Sequence, residues 1–164
     1  MDLYSQTVLD FVRVSTEYCR QMEQTDGTSR EDFVGIMLRL LPMLYLKVSL
    51  LEDMEAEGFA EHRVTEQDYD YVRCRVAALM GEADTFLEVH TENFRYSDTP
   101  VVQTVSENLA DMYQSLRDMV ETFREGFDDA MAASLCEVQE AFREYWGQEL
   151  LNVLRTLHHE KYGS

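Results

Sequence analysis

Positive charge is what this sequence has least of. Its 164 residues carry 14 lysines and arginines against 32 aspartates and glutamates, a formal net charge of −18. Lys47 and Lys161 are the only lysines. Such a surface repels phosphate backbones and anionic lipid, which argues against direct nucleic-acid binding through a broad basic face and against membrane attachment. It leaves open a protein partner with a basic surface, or mimicry of a nucleic acid. Turn residues are scarce too: two prolines and seven glycines are too few for the frequent turns of a β-sandwich and favour long helices. Cys19, Cys74 and Cys136 are odd in number, scattered and without a C-x-x-C pair, so neither a disulfide framework nor a structural zinc site is expected.

No run is greasy enough to span a bilayer. The most apolar stretch, Ile36 to Leu51, is broken by Arg39, Pro42 and Lys47, whereas a span needs about 20 apolar residues. The opening Met1-Asp2-Leu3-Tyr4 has no basic and then apolar region, so no signal peptide and a cytoplasmic location are expected. Catalytic signatures are missing as well. None of His62, His90, His158 or His159 follows a glutamate by three residues, and no G-x-S-x-G, glycine-rich phosphate loop or H-E-x-x-H occurs. The di-metal carboxylate bundle and nucleophilic catalysis thus lack their usual signals, and no cofactor or metal is expected. Acid pairs with helical spacing do exist, as in Glu107 with Asp111, Asp84 with Glu88 and Glu140 with Glu144. In so acidic a chain they read first as solvated helix faces.

What is present is helical periodicity. Tyr4, Val8, Phe11, Ser15, Tyr18 and Met22 recur at three- and four-residue steps, and Thr25-Asp26-Gly27-Thr28 ends that helix. Ser29 followed by Asp32 caps a second helix that is apolar on nearly every side from Phe33 to Leu51, the pattern of a buried bundle centre, with a kink expected at Pro42. Glu52 to Asp70 reads as an exposed acidic loop followed by a helix capped at Thr65. Gly81 ends or thins that helix, and a further helical stretch is expected from Glu82 to Asn93. Tyr96 to Pro100 marks a boundary, with Pro100 in the favoured first position of the next helix. That helix carries Val105, Leu109, Met112, Leu116, Met119 and Phe123 and closes at Gly126. A last helix runs from about Asp128 to Glu160. No strand-like alternation stands out. The expected fold is all-α, an antiparallel bundle of five to six helices with short connections, forming one domain over residues 1–164.

Four residues stand out as lining for a ligand pocket. Lys47 lies beside Tyr45 in the apolar second helix, where a buried ammonium needs an acidic partner. Snorkelling to the surface is the plainer alternative. Tyr145-Trp146-Gly147-Gln148 interrupts the last helix with the only tryptophan and a glycine, a mark of close backbone approach. Core packing explains the tryptophan equally. Tyr45, Lys47, Trp146 and Gln148 are therefore the pocket candidates, with no catalytic or metal residues assigned. His158-His159, adjacent at a helix end, fit capping better than shared metal binding.

Several strings taken in order carry a resemblance: Leu40-Leu41-Pro42-Met43-Leu44-Tyr45-Leu46-Lys47-Val48-Ser49-Leu50-Leu51, Tyr96-Ser97-Asp98-Thr99-Pro100, Asn108-Leu109-Ala110-Asp111-Met112-Tyr113, and Tyr145-Trp146-Gly147-Gln148 running to Leu157-His158. Together they resemble domain-of-unknown-function family 5063 of Bacteroides-type bacteria, over about Val8 to Tyr162. The resemblance implies a small all-helical bacterial protein without an assigned activity, and it supplies no functional residues. The leading expectation is a non-catalytic protein-interaction or regulatory domain with an acidic helical surface. A small-ligand or metal-dependent enzyme with an intra-bundle pocket, and an acidic nucleic-acid mimic, are the alternatives.

Overall fold

The computed structural model describes residues 2–88 and 101–163. Within them the chain forms α1 (Gln6–Glu23), α2 (Arg30–Ser49), α3 (Glu66–Met80), α4 (Val105–Glu125), α5 (Asp128–Ala141) and α6 (Gly147–Tyr162). The last two join end to end through a π-helical turn at Phe142–Trp146, so they form one long rod. An antiparallel pair of short strands, β1 (Thr85–Leu87) and β2 (Val102–Thr104), is appended with Thr85 opposite Thr104. The architecture is an all-α bundle carrying a small hairpin sheet, and no helix among the described residues is long and apolar enough to cross a membrane.

The helix ends follow local chemistry. Ser29 accepts a hydrogen bond from the Asp32 amide at the start of α2, and Thr65 and Asp68 cap α3 reciprocally. Gly81 and Gly126 end α3 and α4 at φ +54° and +81°, where a side chain would strain the backbone. Pro42 sits on the solvent side of α2, which runs through it without a break.

The packing departs from the sequence-based expectation in its choice of centre. α4, not α2, is the central helix: it packs against α1, α3, α5 and α6 and buries residues around most of its circumference, from Val105 and Leu109 to Met119 and Thr122. α2 packs on α1 and α6 and buries one face, including Phe33, Met37, Leu41 and Leu44. Met43 and Leu46 on its other face, and Leu50 just past its end, remain about half exposed. Apolar residues on all sides predicted burial on all sides. The helix instead lies at the edge of the bundle, where only one face meets the rest of the chain.

Three further expectations are corrected. In place of a helix from Glu82, Gly81–Asp84 forms a single 3-10 turn that feeds β1, while residues 89–93 lie outside the described residues. Buried Asp84 accepts from the Ser106 amide (2.7 Å) and the Ser106 hydroxyl (2.6 Å), which fastens that turn to the start of α4. α4 begins at Val105 with Thr104 as its cap rather than at Pro100; Tyr96 to Pro100 also lies outside the described residues. Nor is every connection short. Residues 50–65 cross from α2 to α3 held by side chains from beneath: Gln139 accepts from the Met54 amide and donates to the Glu52 carbonyl, and Asp118 accepts from the amides of Arg63 and Val64 at 2.7 and 2.8 Å. Asp118→Ala leaves those two amides without their partner, and a buried orphan donor costs about 1–3 kcal/mol. Faster amide hydrogen exchange at Arg63 and Val64 is the expected result.

Gly147 explains the π turn. A Cβ placed there would lie 2.5 Å from the Phe142 carbonyl oxygen and 2.9 Å from the Phe142 ring. The turn widens so that the Gly147 amide bonds Phe142 five residues back, and only glycine allows that approach. Gly147→Ala is expected to destabilise the fold by about 1–3 kcal/mol through overpacking, measured as a fall in unfolding temperature.

Candidate functional site

The π turn and the first turn of α6 face α4 across a cavity of about 480 Å³. α4 supplies Glu107 and Asn108 to it and, one turn on, Asp111; β1 runs out into Glu88, β2 contributes Gln103, and α6 contributes Glu149 and Asn152. Trp146 is buried at its base, 1% exposed, with its indole N–H donating to the Val138 carbonyl at 3.0 Å. The Trp146 ring packs on Phe142 at 4.7 Å between centroids, and Phe142 meets Tyr45 edge-on at 5.1 Å.

At the inner end two carboxyl groups meet. Glu149 from α6 hydrogen-bonds Asp111 from α4. Burial, then that bond, then the charges of Asp111 and Glu88 push the Glu149 carboxyl up to about 10, so it holds a proton at neutral pH. Tyr69 reaches over from α3 and donates its hydroxyl to Asp111 Oδ1 at 2.6 Å. Its phenol is held well above the ordinary value by burial and by that bond to the acid. Asn108, 3% exposed, lines the same cavity with its side-chain Nδ2 lacking any hydrogen-bond partner. A buried orphan donor is costly, and among the described residues it is the one fully buried side-chain atom lining this cavity without a partner.

A second cavity of about 300 Å³ adjoins the first, the two sharing Gln114, Ser115, Ala141, Glu144 and Tyr145. Together they make a groove along α4 and the α5–α6 rod. Glu88, Glu107, Asp111, Glu144 and Glu149 line one part; Asp118, Glu137, Glu140 and again Glu144 line the other. Among the described residues, no lysine or arginine lines either part. His62 is the only basic side chain along it among the described residues, bonded to Glu137 at 2.8 Å and made more basic by that carboxylate. Among the described residues, no three His, Cys, Asp or Glu side chains are grouped so as to hold a metal ion.

The four residues singled out from sequence divide between two places. Trp146 and Gln148 line the larger cavity. Tyr45 is separated from it by the Phe142 ring that it touches. Lys47 turns the other way, to α1, where it pairs with Asp10 at 3.6 Å and stays about one-third exposed. Sequence reasoning passed over Glu149, Asn108 and Tyr69, and set Asp111 aside as half of a solvated acid pair. The Glu107–Asp111 spacing was the available signal, and it looked like any solvated acid pair.

The model of the family described as Domain of unknown function (DUF5063) matches residues 2–163. Among solved structures, the crystal structure of protein BF1032 from Bacteroides fragilis is 35% identical, with a TM-score of 0.89 over 99% of this chain and 96% of that one. No curated protein matches the chain.

Proposed function

The chain belongs to the DUF5063 family, of unknown function, and from that premise we propose that it is a non-catalytic interaction domain whose acidic groove receives a basic segment of a protein partner. The observation that carries this reading is the groove itself: a continuous channel lined by acidic side chains from the end of β1, α4, α5 and the π turn, with His62 as the only basic side chain among its described lining residues. In a protein of net charge −18, surface acids are unremarkable one by one. Carboxylates that converge on a concavity differ, because low-dielectric walls focus their field on whatever enters. Exposed Tyr145 and amides such as Gln114 add apolar and polar contact along the floor, suited to a peptide backbone rather than to a bare ion.

The test uses the single tryptophan as reporter. Titration with a lysine- and arginine-containing decapeptide is expected to give a saturable change in Trp146 fluorescence, which weakens as salt rises from low to physiological ionic strength. A flat titration at low salt, confirmed by calorimetry, overturns the proposal.

A further inference from the structure

The outer face of α2 is apolar in a chain otherwise rich in acids. Thirty-two of the 164 residues are aspartate or glutamate, yet none lies between Phe33 and Leu51. Arg39, Met43 and Leu46 recur there at steps of four and three, so they form one stripe along the exposed side of the helix. Leu50 extends the stripe by one more step, since its backbone stays in the right-handed helical region and its amide bonds the Leu46 carbonyl. Met43, Leu46 and Leu50 are each about half exposed, and a contiguous apolar stripe between charged ends marks a contact surface.

The ends of the stripe carry opposite charges. Arg39 opens it and Glu52 follows it; both are exposed, and neither side chain has an ion-pair partner among the described residues. The other charges nearby are already matched, Lys47 by Asp10 and Asp53 by Arg143. We infer that a second copy of this chain docks here, α2 against α2 in antiparallel orientation, about a two-fold axis that passes between Met43 and Leu46.

A two-fold axis suits the order of these groups. It sets Met43 on the partner's Leu46 and lays the Arg39 stem on the partner's Leu50, so that the guanidinium reaches the partner's Glu52. The axis makes each of these contacts twice. Parallel helices would instead bring Arg39 to Arg39 and Glu52 to Glu52. A basic segment of the kind drawn to the groove would find no carboxylate along the stripe itself. Two chains of net charge −18 repel each other, and a face without acids is where they approach at least electrostatic cost. Among the described residues none of α2 lines the groove, so pairing leaves a groove open on each copy. A single helix stripe is a small interface, and a dissociation constant on the order of 10 µM is expected.

Sedimentation velocity of the full chain over a range of concentrations tests this. The parent should pass from monomer to dimer, and more readily at physiological than at low salt, because screening relieves the general repulsion. Leu46→Glu places a carboxylate at an exposed central position and should leave a monomer with an unchanged unfolding temperature. Arg39→Glu and Glu52→Arg should each weaken pairing about tenfold, since each sets like charges together twice. Net charge alone predicts the reverse for Glu52→Arg, which makes the chain less negative. An equimolar mixture of these two variants rebuilds both ion pairs and should form a heterodimer of parental affinity. A parent that stays monomeric about tenfold above the expected constant overturns the inference and leaves the stripe to a different protein. A dimer that survives Leu46→Glu, or a mixture no tighter than its separate components, overturns it as well.

Discussion

Replacing Trp146 with alanine is expected to remove about 3–5 kcal/mol of stability, the range for truncating a fully buried large aromatic. Three losses combine. The indole is 1% exposed and its removal leaves a cavity between the π turn and the core. The Val138 carbonyl loses the indole N–H that bridges the end of α5 to the π turn. The stack from Tyr45 through Phe142 to Trp146, which ties α2 to the rod, loses its inner member. For a chain of this length each kcal/mol lowers the unfolding temperature by about 2–4 °C, so a fall of roughly 6–20 °C is expected by calorimetry. Trp146→Phe keeps most of the volume and forfeits the hydrogen bond, and is expected to fall between the two.

Glu149→Gln works in the opposite direction. In the folded chain Glu149 keeps its proton to about 10, against an ordinary value of 4.5. Below pH 4.5 folded and unfolded chains are both protonated at this residue and it costs nothing. Above that, the unfolded chain releases the proton and the folded chain holds it, so stability falls as pH rises toward the folded value. A glutamine there stays neutral, hydrogen-bonds Asp111 and escapes the decline. One unit of elevation corresponds to about 1.4 kcal/mol; even two units would make the variant more stable than the parent by about 3 kcal/mol at pH 8. Melting curves at pH 5 and pH 8 should show the variant's advantage growing with pH. A constant difference between the two would mean that Glu149 is ionised in the fold.

The parts of this structure that were legible in the sequence are those set by local chemistry. Ser29 and Thr65 cap the helices they were expected to cap, Gly81 and Gly126 end the helices they follow, and the rod beginning at Asp128 extends through Tyr162. What periodicity could not rank was which apolar helix the others surround. α2 has the greasier sequence, but α4 has the neighbours, and neighbours are a tertiary property. The hairpin was missed because strands of three residues are too short to show alternation. Tyr145-Trp146-Gly147 was rightly read as an interruption with close backbone approach, which the 2.5 Å spacing at Gly147 bears out. The carboxyl pair was invisible for another reason. Asp111 and Glu149 are 38 positions apart, and no spacing rule joins residues that meet only when two helices pack. Lys47 was conspicuous because apolar residues surround it in sequence, yet Asp10 on α1 supplies its partner at the surface.

The central claim is that the groove, and not the overall charge, binds the basic segment. Two triple variants of equal net charge test it most directly with the polybasic decapeptide at physiological salt. One neutralises Glu107, Asp111 and Glu144 within the groove; the other neutralises Glu31, Glu57 and Glu160, exposed residues outside it. The groove variant is expected to lose about tenfold or more in affinity, while the outside variant stays within about twofold of the parent. Equal weakening in both would contradict the account and attribute the binding to net charge alone.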